Sequence, residues 1–287
     1  MIVPPFPKRI EIELAGACNL QCTYCPRRFM EALDGFIDYS FFARLIDEIE
    51  IHPETILVLH RRGESLLHPQ FLDIMKYVKA KFKNVQLATN ATLLDKAKSQ
   101  GIIESVTFLS FSIDTPRLYE STRRPAKYKS IEKKILQFLE MNRTQGNPVK
   151  TQVSMVKTSH VSAADLQTFK EIWTPRVDRV RIYEEHSANG NFGSLHRARQ
   201  ARKPCVMPFY EMLIYYDGKI GRCNHDWDGE PLGDLNHNSI NEIWHGEIYD
   251  KLRRQHKTLK IEDSVCAKCD SWYPEEGIQG TGEVTEK

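Results

Sequence analysis

Between residues 8 and 185 the chain repeats one pattern: a short apolar or alternating stretch, then a longer stretch of helical period. The stretches 8–14, 55–60, 84–90, 105–114, 149–157 and 177–185 read as strands, because they alternate or are short, apolar and bounded by polar residues. Between them, 38–50, 69–82, 130–146 and 162–173 carry apolar residues at helical spacing. Pro69 stands near one helix start, Gly146 closes another helix and Ser162 serves as an N-cap. The segment 92–100 reads as a further helix that ends at Gly101. Such alternation predicts an α/β fold of parallel strands wrapped by helices, an α/β barrel or part of one. Six strand–helix units are too few to close an eightfold barrel. Chemistry in barrels sits at the C-terminal strand ends, so those ends and the loops beyond them are where functional residues are expected.

After residue 185 the pattern changes. Residues 187–203 are polar, contain Gly and Arg, and read as a connector. Residues 212–225 read as a hairpin turning at Asp217-Gly218, and 239–256 as an amphipathic helix. The stretch from Glu275 is rich in Gly and Glu and is expected to be disordered. The expected organisation is therefore a core over 1–195, a small second domain over 196–274 and a tail over 275–287. With 287 residues the chain can bury a full core. Its 40 Lys+Arg and 38 Asp+Glu leave a net charge of +2, which does not favour a nucleic-acid partner. It contains no apolar run of about 18 residues, the length a membrane span needs. MIVPPFPKR lacks the apolar core of a signal peptide, so a cytoplasmic location is expected. In that compartment thiols stay reduced and bind metal more often than they pair.

The chain has seven cysteines. Cys18, Cys22 and Cys25 stand in AGACNLQCTYCPRR, just after the first strand, with aromatic Tyr24 before the third. Three thiolates leave a tetrahedral metal site incomplete, but they suit an iron–sulfur cluster with one iron left open. A zinc loop or ordinary thiols are the alternatives. The C-x3-C-x-aromatic-C loop resembles that of the radical S-adenosylmethionine enzymes. The resemblance implies an open six-stranded barrel, here a partial (β/α)6 TIM-like barrel. It also implies that the open iron binds the amino and carboxylate groups of S-adenosylmethionine, and that the reduced cluster releases a 5′-deoxyadenosyl radical. HRRGESLLHP, 60–69, resembles the family's Gly-Gly-Glu motif, which holds the methionine amino group. Gly63 and Glu64 match it, while Arg62 replaces the first glycine and Ser65 the usual proline. At the later strand ends, Asn90, Ser112, Asp114, Arg123 and Ser154 are the candidate cofactor contacts, with Tyr24. Ser112 and Asp114 share a strand face, and arginine suits a carboxylate because its donors form a fork.

Cys205, Cys223, Cys266 and Cys269 fall in the last third. Their order resembles the SPASM/twitch extension of the same family: cysteine, hairpin glycine Gly218, cysteine, Leu-Gly-Asp-Leu, Ser-Ile-x-Glu-Ile-Trp, then C-x2-C. Four cysteines rather than the seven of a full SPASM domain fit the shorter twitch form with one auxiliary cluster. They fill all corners of a [4Fe–4S] cluster, or equally of a zinc site. A fully ligated cluster passes electrons rather than binding substrate. The resemblance thus implies S-adenosylmethionine and two [4Fe–4S] clusters as cofactors, with an electron donor such as flavodoxin or ferredoxin as partner.

Three plus four cysteines leave none to donate hydrogen, as family epimerases do, and the auxiliary cluster offers an electron sink. Both points favour oxidation, and the nearest resemblance is to the twitch-type aminocyclitol dehydrogenase of butirosin biosynthesis. The first strand begins almost at the N-terminus, so no leader-binding domain is expected before it. The expected substrate is therefore a small polar metabolite such as a sugar, aminocyclitol or nucleoside. Lys157, Tyr183 and Glu184, with Glu185 and His186, are candidates for the base that takes the hydroxyl proton. Arg197, Arg199, Arg202 and Lys203 could hold an anionic substrate. An epimerase, a peptide side-chain maturase and a zinc-stabilised binding protein are the alternative functions.

Overall fold

The computed structural model describes residues 1–31, 33–185, 202–227, 229–261, 265–269, 272 and 283–286. The expected boundary at 195/196 and His186, Arg197 and Arg199 lie outside them. The chain opens with strand β1 (Arg9–Ile12), a short strand β2 (Gln21–Cys22) and helix α1 (Tyr39–Glu50). There follow β3 (Ile56–Val58), α2 (Phe71–Lys79), β4 (Val85–Thr89), α3 (Lys96–Ser105) and β5 (Phe108–Ser112). A one-turn helix α4 (Tyr119–Thr122) leads into β6 (Arg123–Arg124), then α5 (Tyr128–Thr144), β7 (Lys150–Lys157), α6 (Ala163–Trp173) and β8 (Arg179–Glu184). The six expected strands are β1, β3, β4, β5, β7 and β8, and they pair in parallel in that order. This is the partial TIM-like barrel, with a connecting helix after each pairing step.

Alternation along β1 explains why the barrel has a polar interior. Ile10 and Ile12 are fully buried in the apolar layer under the helices. Arg9, Glu11 and Glu13 take the opposite face, as period two demands. Each helix contributes an apolar stripe to the same layer, such as Phe42, Leu45, Ile46 and Ile49 of α1. Asp38 caps α1, and Ser162 caps α6 in a reciprocal capping box with Asp165.

Four features depart from the expected pattern. α3 runs through Gly101, because its cap is Asp95 and a Cβ at Gly101 would come within 3.0 Å of Leu72 Cδ2. That glycine serves the close approach of α3 to α2 instead of ending a helix. The hairpin, β9 (Glu211–Ile214) and β10 (Ile220–Gly221), turns at Gly218 (φ +85°), and β9 pairs in parallel with β1, Arg9 opposite Glu211. The C-terminal region therefore extends the barrel sheet. The expected helix over 239–256 is two helices, α7 (Ile240–Trp244) and α8 (Glu247–Thr258), because Gly246 is extended and caps the second. They are followed by α9 (Val265–Lys268). Finally, the expected disorder of the tail is corrected at β11 (Glu283–Glu286), which pairs antiparallel with β8. Lys170 and Arg179 supply the charges that hold Glu283 and Glu286 there.

Candidate functional site

One cleft of about 630 Å3 opens at the C-terminal ends of the barrel strands, and Cys18, Cys22 and Cys25 line it. The loop that carries them is fixed by the barrel. β2 pairs with β6, setting Cys22 opposite Arg123, and the Cys25 N–H donates to the Cys22 carbonyl (3.1 Å). Tyr24 donates its hydroxyl to Asp114 (3.0 Å), whose carboxylate also accepts from the Thr122 hydroxyl (2.7 Å) and faces Arg123 Nε at 3.1 Å. Burial alone would lower the Arg123 pKa, but Asp114 and Tyr24 drive it well above the ordinary value. Arg123 thus stays cationic beside the thiols. Of the expected cofactor contacts, Tyr24, Gly63, Glu64, Asn90, Ser112, Arg123 and Ser154 line the cleft. Asp114 stands behind it as the anchor of Tyr24 and Arg123.

Glu64 is 3% exposed. It accepts from the Thr89 hydroxyl (2.7 Å), the Asn90 N–H (2.7 Å) and the Leu66 N–H (3.2 Å). Burial raises its pKa, while the Asn90 N–H and Thr89 hydroxyl oppose the rise. A buried carboxylate held this way is a ready acceptor for an ammonium group. A Cβ on Gly63 would come within 2.2 Å of the Ala15 carbonyl, so only glycine lets this loop lie against the backbone leading to Cys18. Asn90 donates to Asn19 Oδ1 (3.0 Å), and its amide nitrogen is 4.0 Å from Cys18 Sγ.

None of the seven cysteines is joined in a disulfide. Burial raises Cys18 and Cys25 and pushes Cys22 up to about 12, where Arg123 opposes and Cys25 adds to the rise. Cys223 is raised by burial, then by the nearby Cys266, Cys205 and Cys269, so these four also share one neighbourhood. The Cys205 N–H donates to His256 Nδ1 (3.3 Å), and the Cys269 N–H to the Cys266 carbonyl (3.3 Å). Among the described residues, no three His, Cys, Asp or Glu side chains close around a single ion. A cluster, with each thiolate on its own iron, spreads its ligands wider than one ion does. Soft, converging thiols of this kind fit iron–sulfur ligation, three in one set and four in the other.

Tyr183, Glu184 and Glu185 also line the cleft. Lys157 does not line it but pairs with Glu184 (3.3 Å). Burial raises the Glu185 pKa, with His160 opposing. Arg202 lies over the Trp272 ring and, like Lys203, is not part of the cleft wall. Sequence reading missed Arg9, His60, Arg61, Arg62, Arg179 and Glu211, all in the cleft wall. The alternating Arg9-x-Glu11-x-Glu13 and Arg179-x-Arg181 were a usable signal, since each puts charge on one strand face. Among the described residues, no helix is long and apolar enough to cross a membrane.

Comparison with known proteins places the chain. The family model of the Radical SAM superfamily matches residues 12–171, and that of the SPASM iron-sulfur cluster-binding domain matches 205–270. A cofactor-modifying protein for tungsten-containing aldehyde ferredoxin oxidoreductase from Pyrococcus furiosus is 31% identical over 109 residues, covering 37% of this chain and 31% of that protein. The chain thus spans about a third of that relative's length. Among solved structures, BtrN in complex with AdoMet and 2-DOIA superposes with a TM-score of 0.64 at 16% identity, covering 94% of each chain. SuiB of Streptococcus suis bound to the precursor peptide SuiA superposes with a TM-score of 0.72 at 13% identity, over 93% of this chain and 70% of SuiB. At these identities the two structures bear on the fold alone.

Proposed function

We propose, starting from the premise that this chain belongs to the radical S-adenosylmethionine superfamily and carries a SPASM cluster-binding domain, that it oxidises a small polar metabolite. Membership brings S-adenosylmethionine and a [4Fe–4S] cluster as cofactors, and the SPASM domain brings further iron–sulfur. When bound, this cofactor pair supplies a carbon-centred radical able to take hydrogen from an unactivated C–H bond. Cys18, Cys22 and Cys25 would hold the first cluster, and Cys205, Cys223, Cys266 and Cys269 the auxiliary one. Glu64 would accept from the methionine ammonium. Arg123 would face the carboxylate, while Asn90, Ser112 and Ser154 line the remaining wall.

One observation carries the reading. A single cleft is walled on one side by the first cysteine loop and on another by Met207, Asn224, His225 and Trp227, which adjoin the second cysteine set. A substrate in that cleft lies between the two cluster sites. It can lose hydrogen on one side and an electron on the other. A carbinol that loses a hydrogen atom, an electron and the hydroxyl proton becomes a carbonyl. Glu184 and Glu185 are the cleft-lining carboxylates suited to take that proton, and Tyr183 stands beside them. Lys157 would act through its pairing with Glu184 rather than on substrate. The absence of an eighth, spare cysteine argues against a thiol hydrogen donor and hence against epimerisation.

Anaerobic turnover with polyols, aminocyclitols and nucleosides, using a flavodoxin or ferredoxin as reductant, tests this. The expected result is a carbonyl product with one 5′-deoxyadenosine per turnover. Solvent deuterium at an inverted carbon would instead establish an epimerase, and modification of a peptide alone would establish a maturase.

A further inference from the structure

Residues 61–64 touch both cysteine regions. Arg61, its side chain 4% exposed, donates through Nη1 to Asn224 Oδ1 (2.7 Å) and through Nη2 to the Cys223 carbonyl (2.9 Å). Its guanidinium carbon lies 5.3 Å from the centre of the Trp227 ring. Arg62 holds both oxygens of Glu13 from its backbone N–H (3.0 Å), Nε (2.8 Å) and Nη2 (2.8 Å), and its Nη1 donates to the Trp227 carbonyl (3.2 Å). The next two residues face the other cysteine loop. The Glu64 N–H donates to the Ala17 carbonyl (2.8 Å), immediately before Cys18, and Gly63 lies against Ala15. Four consecutive residues therefore run from the Cys223 carbonyl to the backbone beside Cys18.

A guanidinium is a rigid fork whose donors need acceptors at fixed positions. Here most of the acceptors belong to the irregular 223–227 loop, which begins at a thiol of the second set. If that loop moves, buried donors lose their partners, which is costly. The position of the loop and the position of residues 61–64 are thus tied together.

We propose that Arg61 and Arg62 are positioning residues through which the auxiliary cluster site strengthens S-adenosylmethionine binding at the first site. Metal at Cys223 fixes the 223–227 loop; the loop fixes the two arginines; and these hold Gly63 and Glu64 where the ligand needs them. This rests on the two-cluster reading given under Proposed function. It also gives Arg62, which stands where the family motif has glycine, a physical task.

The test reads S-adenosylmethionine affinity by anaerobic calorimetry on the full reconstituted chain. Arg62→Gln would strand the buried Glu13 carboxylate and threaten the fold, so the arginine arm uses Arg61→Gln, with Arg61→Lys as the milder form that keeps the charge. The other arms are wild type, the double variant Cys266→Ala/Cys269→Ala, and that double variant combined with Arg61→Gln. Loss of the auxiliary cluster should weaken binding roughly tenfold, a common size for coupling between sites. Arg61→Gln should weaken it similarly, Arg61→Lys less, and the combination no more than the cysteine variant alone. Unchanged affinity in the cysteine variant or in Arg61→Gln, or losses that multiply in the combination, would overturn the coupling. Iron content separates the failures: iron at only one set in wild type refutes the two-cluster reading, whereas unchanged affinity in a two-cluster protein refutes the coupling alone.

Discussion

Cys18, Cys22 and Cys25 come from one short loop, whereas Cys205, Cys223, Cys266 and Cys269 come from three separate segments of the last third of the chain. The first loop is held by groups that owe nothing to metal: the β2–β6 ladder, the Tyr24–Asp114 hydrogen bond and the Cys25–Cys22 turn. Its thiols line the open cleft. In the second region Cys205 and Cys266 are buried, and the sites must be brought together by closing long loops. Metal bound there would tie together segments that lie far apart along the chain. The contrast separates a loop that the barrel itself holds from a site assembled across distant segments of the chain. The proposed split of tasks, an open cluster at the first set and a fully ligated one at the second, rests on it.

The largest expected effect divides the two regions outright. Cys22→Ala should reduce 5′-deoxyadenosine formation to background. Cys266→Ala should keep reductive cleavage of S-adenosylmethionine measurable while abolishing oxidised product, as chromatography of both species would report. Equal loss of cleavage in the two variants would break the contrast. Metal removal comes next. In the chelated chain, hydrogen exchange should quicken across 205–209, 223–227 and 265–269, while the β2–β6 ladder at Gln21–Cys22 keeps most of its protection. Equal deprotection of both would show that the first loop also needs its metal.

A smaller effect is expected at Glu64. On the proposed reading Glu64→Gln would remove one charge-assisted bond to the ammonium, about 2 kcal/mol or roughly thirtyfold in the dissociation constant for S-adenosylmethionine. The auxiliary cluster's spectrum should not change. The smallest effect concerns His60, at the end of β3 in the cleft wall. Burial, with Arg9 and Arg61 adding, lowers its pKa to about 3. The unfolded chain takes up this proton near pH 6.5, before the folded chain does. Stability from this group is therefore complete above about pH 6.5 and is lost as pH falls toward about 3. His60→Asn should flatten the fall of the denaturation midpoint between pH 7 and 5, and an unchanged slope would contradict it.

What could be read in the sequence was local. The cysteine spacings, Gly63-Glu64 and the strand–helix period needed only near neighbours and residue type. What escaped depended on partners far along the chain. Arg62 looked like a departure from a glycine motif, and only the fold brings it to Glu13, 49 residues away. Nothing in the period of β9 says that it lies parallel to β1. Gly101 read as a helix end because the approach of Leu72 is a tertiary fact. Asp114 was expected on the cofactor but is not among the residues that line the cleft, and Tyr24 and Thr122 donate to its oxygens. Glu283 and Glu286 fall in a tail whose composition reads as disordered, and only the fold gives them the edge of β8 and the partners Lys170 and Arg179.

The most direct test compares single-cluster proteins by electron paramagnetic resonance after reduction, with and without S-adenosylmethionine. In Cys266→Ala/Cys269→Ala, which keeps the first trio, the added compound should shift the cluster signal. In Cys18→Ala/Cys22→Ala/Cys25→Ala, which keeps the second set, it should leave the signal unchanged. A shift in the second protein, or none in the first, would contradict the assignment of the open iron to the loop after β1.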